Sequence, residues 1–346
     1  MLFGGKINRK LSTPTTIMSS DRATALETAE RVKGGEEADS LGKTLEIGAY
    51  FGLWYALNIG YNVYNKKALN AVPLPWTLAA IQLFAGLPCV FVLWGLGARK
   101  KPKLSFENIK TLAPSALCHL GTHVGAVLSL GAGAVSFTHI VKASEPVVSA
   151  IMSALFLKQI MPVPVYLSLL PVIGGVGLAS LKELSFTWLA FGTAMMSNVA
   201  SAGRGILSKG LMGQDIGENL DASNLYAVLT MIAFVFLLPV SLSLESPELV
   251  SSSIAAAVEK GTTKMVLAWY TVLSGLFYYF YNEVAFLALS KVAPVTHAVG
   301  NTIKRVVIIL ATVIIFGNKL TPLGAAGSAI AIMGTLLYSL VKNKYK

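Results

Sequence analysis

Thr138-His139-Ile140-Val141-Lys142-Ala143-Ser144-Glu145-Pro146-Val147-Val148-Ser149-Ala150-Ile151 sets a lysine and a glutamate inside a run that is otherwise apolar and long enough to cross a bilayer. A spanning helix needs about 20 such residues. A charge at that depth costs about 2.5–3.5 kcal/mol on insertion scales, so it normally faces a protected cavity and carries function. Arg204, Lys304 and Arg305 sit in the same kind of surroundings, whereas only Glu145 and Glu283 supply acid at comparable depth. This imbalance reads as a membrane carrier with an interior site for an anion.

Outward from that stretch, apolar spans recur at 45–66, 74–98, 110–131, 137–157, 163–181, 186–208, 223–244, 267–290, 293–316 and 321–341. The chain is 54% hydrophobic and 13% charged, well below the roughly 25% charge of soluble domains. The expected fold is all-α integral membrane, with ten transmembrane helices. Glu245–Lys264 is too polar to cross and is expected to form a short surface helix. Residues 1–43 differ from the rest. Met1–Ser20 carry Lys6, Arg9 and Lys10 with many hydroxyl residues and no acid, a transit-like start. The arm 1–43 is expected to be solvated and disordered, 44–342 to form the membrane domain, and 343–346 to be a tail.

An even number of spans puts both termini on one side. Of the 28 basic residues, eighteen fall on that side, six on the other and four within spans. This bias is the one that membrane topology produces, so the net charge of +11 calls for no nucleic-acid partner. Cys89 and Cys118 lie within spans and lack metal-ligand spacing. No metal or cofactor is expected. There is no catalytic carboxylate pair or nucleophile motif, which argues against an enzyme. A monomer meets every requirement of the design.

Thr138, His139, Val141 and Pro164 match Thr296, His297, Val299 and Pro322 at a constant offset of 158 residues. Five spans per half is odd, so the halves, about 44–184 and 185–342, would insert with opposite orientation. Inverted repeats place a substrate site at mid-membrane where the repeats meet. Lys142 in the fourth span and Lys304 and Arg305 in the ninth then converge. Arginine offers a planar fork and lysine a compact charge, a combination suited to a phosphate dianion. A purely structural role would instead pair Lys142 with Glu145 and Lys304 or Arg305 with Glu283, leaving Arg204 unpaired. Glu145-Pro146 is expected to kink the fourth span. His123 and Tyr281 are candidate donors to a sugar-like or carboxylate group, with an interhelical hydrogen bond as the alternative. His119 is assigned to packing, His139 and His297 to bracing. Gly121–Gly125, Gly174–Gly177 and Gly324–Gly327 are expected to be helix-contact surfaces.

Several blocks resemble the plastid phosphate translocators of the drug/metabolite transporter superfamily. Val135-Ser136-Phe137-Thr138-His139-Ile140-Val141-Lys142-Ala143-Ser144-Glu145-Pro146 is similar to one family motif, and Ala293-Pro294-Val295-Thr296-His297-Ala298-Val299-Gly300-Asn301-Thr302-Ile303-Lys304-Arg305-Val306 to another. Glu183-Leu184-Ser185-Phe186, Met196-Ser197-Asn198 and Phe316-Gly317-Asn318-Lys319 also fit, and the likeness covers about 44–342. The resemblance implies strict exchange of inorganic phosphate for phosphorylated carbon compounds by alternating access through ten helices. It carries phosphate binding to Lys142, Lys304, Arg305 and Arg204, and the carbon end to His123 and Tyr281. Ala126 stands where triose-phosphate members have threonine, and Tyr278-Tyr279-Phe280-Tyr281-Asn282-Glu283 departs from the family's Tyr-His-Leu-Tyr-Asn-Gln. Pro164–Pro171 looks like hexose-phosphate members, the ninth-span block like triose-phosphate members. The expectation is a phosphate/triose-phosphate or 3-phosphoglycerate exchanger of the plastid envelope, inner membrane favoured. Hexose-phosphate or phosphoenolpyruvate exchange, nucleotide-sugar transport and a passive anion channel stay open.

Overall fold

The computed structural model describes residues 17–181, 183–211, 216–292, 294–317 and 321–345. The chain divides into two compact units, 1–49 and 50–346. Helix α1 (Ile17–Ala71) begins within the arm expected to lack regular structure; Met1–Thr16 lie outside the described residues. The long helical start reflects residues 22–33, where Ala, Glu, Arg and Lys, all strong helix formers, predominate over breakers.

The remaining elements are α2 (Pro75–Ala85), α3 (Leu87–Gly95), α4 (Phe106–Ala132), α5 (Val135–Lys142), α6 (Glu145–Leu157), α7 (Val163–Leu167), α8 (Leu170–Leu181), α9 (Trp188–Leu211), α10 (Ala222–Leu244), α11 (Pro247–Glu259), α12 (Lys264–Lys291), α13 (Pro294–Phe316) and α14 (Pro322–Lys344). Among the described residues the structure is helical, with one isolated antiparallel bridge between Lys103 and Glu218. Among the described residues, seven stretches are long and apolar enough to cross a membrane. The windows in α1, α9 and α12 carry tyrosine, amide and hydroxyl residues in place of aliphatic ones, which lowers their hydropathy. Short α11 lies where the polar segment after the seventh window was expected to form a surface helix.

Several expected local features are present. Proline at the second position of α6 fits its first turn, where no backbone donor is needed, and the fourth window breaks at Ala143 and Ser144 just after Lys142. Gly175 and Gly327 lie at the α8–α14 contact. A Cβ on Gly175 would come 2.3 Å from Ala331 N, and one on Gly327 2.5 Å from Ala179 N. Gly125 seats α4 nearly as close on α9, where a Cβ would come 2.7 Å from Thr193 O. Such small residues let helix backbones approach where packing, not hydrophobicity, drives association in lipid.

Polar contacts between loops sort into two groups. Lys103 and Glu218 exchange backbone hydrogen bonds of 3.0 and 3.2 Å and pair their side chains at 2.7 Å. Asn224 Nδ2 donates to Lys100 O at 2.9 Å, and Arg99 pairs with Glu283 beside them. In the second group Glu245 accepts from Trp76 N (3.1 Å) and Thr77 N (2.7 Å) at the start of α2. Lys66 Nζ donates to Leu130 O and Gly133 O, both at 2.8 Å, capping carbonyls at the end of α4. Ala134 N donates to Ser185 Oγ at 3.1 Å.

Candidate functional site

A cavity of about 820 Å³ lies among these helices. Lys142, Arg204, Lys304 and Arg305 all line it, as do His123, Ala126 and Tyr281. Glu145 is the one acid on its wall among the described residues. The structure thus brings every candidate site residue to one chamber.

Each base has its own support. Lys142 is the last residue of α5, and its Nζ donates to Ser197 Oγ of α9 at 2.6 Å. Ser197 in turn donates to Thr122 O of α4 at 2.7 Å, so the three helices are tied at this point. Arg305 projects from α13 and donates from Nη2 to Glu145 Oε2 at 3.0 Å. The other oxygen of Glu145 accepts from Ser201. Lys304, its neighbour in sequence, points elsewhere, with Nζ 4.5 Å from the Trp54 ring centre in a cation–π contact. Arg204 donates from Nη1 to His119 Nδ1 at 3.0 Å. Arginine cannot accept, so His119 carries its proton on Nε2, facing the Tyr278 hydroxyl at 3.4 Å.

This geometry decides against the purely structural pairing and corrects two further readings. Glu145 does not pair with Lys142; the break at Ala143–Ser144 turns its carboxylate toward Arg305. Glu283 does not reach Lys304 or Arg305; it pairs with Arg99, just beyond the end of α3 and outside the chamber's lining. Arg204 is not without a partner, and His119 does more than pack. Not every base is uncompensated, since Arg305 holds a carboxylate. With Glu283 engaged by Arg99, four bases face one acid among the described residues, a larger imbalance than the sequence count implied.

The carbon-end candidates are also clear. His123 faces Ala79 O through Nε2 at 3.2 Å; a carbonyl only accepts, so that nitrogen is the donor and is already engaged. The interhelical alternative for His123 is therefore the one realised, and its ring packs on Tyr278 at 4.0 Å. Tyr278 and Tyr281 form an aromatic wall with Tyr61, at 5.5 and 5.2 Å. His139 braces α5 against α1 through Asn62 Oδ1 at 2.9 Å. The side chain of His297 lies outside the described residues.

Sequence reasoning missed the contribution of α1. Trp54, Asn58, Tyr61 and Asn62 line the chamber from its inward face. Their spacing is helical, and amides in an apolar span were the available signal.

The Triose-phosphate Transporter family matches residues 45–339. The xylulose 5-phosphate/phosphate translocator of Arabidopsis thaliana chloroplasts is 43% identical over 311 residues, 90% of this chain and 74% of the relative. The glucose-6-phosphate/phosphate translocator 2 of the same plant is 42% identical, over 86% of this chain and 76% of its own. The chloroplast triose phosphate/phosphate translocator of Solanum tuberosum is 42% identical, over 87% of this chain and 71% of its own. With the match running over nearly all of the helical part and embracing all four cationic residues of the chamber, the chain belongs to the Triose-phosphate Transporter family, a family of transporters.

Proposed function

We propose that the protein is an antiporter that exchanges inorganic phosphate for phosphorylated three-carbon compounds across a plastid envelope membrane, the inner envelope favoured, by alternating access. The observation that carries this is the convergence of Lys142, Arg204, Lys304 and Arg305 on one chamber that holds, among the described residues, a single carboxylate. Lys142, Lys304 and Arg305 would take the phosphoryl oxygens, with Arg204 at the flank. His123, Tyr281 and Ala126 would border the carbon end.

The packing supports two inverted five-helix repeats with ten crossings. In order of the ten windows, α2 on α12 is the second on the eighth, and its counterpart five windows on is α10 on α4. Contacts α2–α10, α5–α13 and α8–α14 map onto themselves under the same shift. The contact of α4 with α9 has its counterpart in Tyr61 on Tyr278 and Tyr64 on Phe277, joining α1 to α12. The two groups of loop contacts support the same topology. Lys103, Glu218 and Glu283 belong to one side of a ten-crossing chain, and Lys66, Glu245 and Ser185 to the other.

Exchange, not leak, follows from electrostatics. An empty chamber with excess positive charge is costly to close and desolvate, because each unpaired ion loses its hydration. A phosphate ester supplies the missing charge, so the loaded carrier changes face and the empty one does not. Proteoliposomes test this: phosphate-loaded vesicles take up labelled dihydroxyacetone phosphate, and vesicles without phosphate do not. Lys142→Ala and Arg305→Ala abolish that uptake with the protein still folded. Equal uptake into empty vesicles would reject exchange.

A larger phosphorylated sugar is the alternative cargo. Ala126 leaves the carbon end roomy, and relatives named for glucose 6-phosphate and xylulose 5-phosphate match as well as those named for triose phosphate. A counter-exchange panel of triose, three-carbon acid and hexose phosphates decides between them.

A further inference from the structure

Helix α1 presents Trp54, Asn58, Tyr61 and Asn62 to the chamber, all nearly inaccessible, with Asn58 at 3% exposure. The amide orientations follow from their partners. Asn62 Nδ2 lies 2.8 Å from Asn58 O, a backbone carbonyl that only accepts, so the nitrogen of Asn62 must face it. The same nitrogen reaches the side-chain oxygen of Asn58 at 2.9 Å. Asn62 Oδ1 is then left to accept from His139 Nε2 at 2.9 Å. With its oxygen held by Asn62, Asn58 turns its NH2 group away from that pair, and among the described residues no protein group accepts from it. The position along α1 says what it would meet. One turn before it, Trp54 carries the Lys304 ammonium 4.5 Å above its ring. Three residues after it, Tyr61 lies 5.2 Å from Tyr281. A helix rises about 1.5 Å per residue, so Asn58 stands between the bases and the tyrosine wall, roughly 5 Å from each along the axis.

We propose that Asn58 is a substrate-contacting residue that reads the oxygenated carbon end of an organic phosphate through its amide N–H groups. This rests on the exchange reading above. Two neutral donors on the chamber wall suit a hydroxyl, carbonyl or carboxylate oxygen one or two carbons from the phosphoryl group. Inorganic phosphate has no such end, and this gives the test its internal reference. Full-length protein in proteoliposomes is assayed for half-saturation by inorganic phosphate, dihydroxyacetone phosphate and 3-phosphoglycerate. Asn58→Ala is expected to weaken both organic phosphates about three- to tenfold more than inorganic phosphate, the loss of one net hydrogen bond. Asn58→Asp keeps an acceptor for Asn62 but replaces the donors with a negative oxygen. It is expected to penalise 3-phosphoglycerate, which ends in a carboxylate, more than dihydroxyacetone phosphate.

These are ratios, so a smaller amount of active protein does not change them, and Asn58→Asp decides alone if Asn58→Ala fails to fold. Ratios equal to wild type, or all three substrates weakened alike, overturn the assignment of Asn58 alone. A wild-type protein that exchanges no phosphate rejects the exchange reading, and the assignment with it.

Discussion

Arg305 and Glu145 are 160 positions apart, yet their contact governs the charge of the chamber. Lys142 and Glu145, three apart, are neighbours on an unbroken helix. The helix breaks between them, and Glu145 opens α6, where a carboxylate is favoured by the exposed N–H groups of the first turn. Nothing in the local spacing of charges reveals this; it requires knowing that α13 crosses α5 at that point. Removing one partner of a largely buried pair costs about 3 kcal/mol, and less here because the Glu145 side chain is 28% exposed. Glu145→Gln should therefore lower the melting temperature of the substrate-free protein in detergent. Saturating phosphate should recover more of the loss than it adds to wild type, since it brings negative charge to the stranded guanidinium. A loss that phosphate leaves untouched would mean that Glu145 serves packing alone. The imbalance of bases over acids was legible from the sequence, because charges in an apolar run stand out. The pairing of each was not.

At the scale of elements, the ten windows lay where helices are found, and among the described residues seven of them are long and apolar enough to cross a membrane. Breaks were legible where proline marked them, as at Pro146. The break in the fifth window between α7 and α8 carried a weaker signal. Small-residue contacts were legible as a class, but not residue by residue. Of the glycines at 174, 175 and 177, only Gly175 faces α14; a Cβ on Gly174 or Gly177 meets nothing within 4 Å. Gly175→Ala should force the two helices apart, at roughly 1–3 kcal/mol of overpacking strain, and lower the melting temperature by several degrees. Gly174→Ala should be neutral or slightly stabilising, because alanine is the better helix former by about 1 kcal/mol. Equal effects at the two positions would contradict the α8–α14 interface. Both are read by thermal unfolding in detergent.

For the whole molecule, the proposed ten-crossing topology would set the two groups of loop contacts on opposite faces of the membrane. Arg99–Glu283 and Lys103–Glu218 tie loops on one, Glu245 and Lys66 on the other. The chamber's lining continues through Leu112, Ser115, Ile216 and Gly217 toward the first group. Single cysteines at exposed Lys101 and Ser251, in a protein with Cys89 and Cys118 replaced, should react with an impermeant maleimide from opposite sides of sealed vesicles. Labelling of both from one side would overturn the ten-crossing arrangement. The proposed inversion of the second half would bring the fourth and ninth windows together at mid-depth, and the contact of α5 with α13 is the packing it calls for.

The sequence by itself determined that the chain is a helical membrane protein, where its apolar helices lie, and that unusual positive charge is kept inside them. Each of these is a one-dimensional property: apolar length, breaker residues, and the energetic cost of placing an ion in hydrocarbon. Only the tertiary structure decided that Arg305 answers to Glu145, that Glu283 is drawn off to Arg99, and that the amides of α1 complete the wall. Those are distances between helices far apart in the chain, set by how the helices pack and turn about their axes, and no local pattern of residues encodes them.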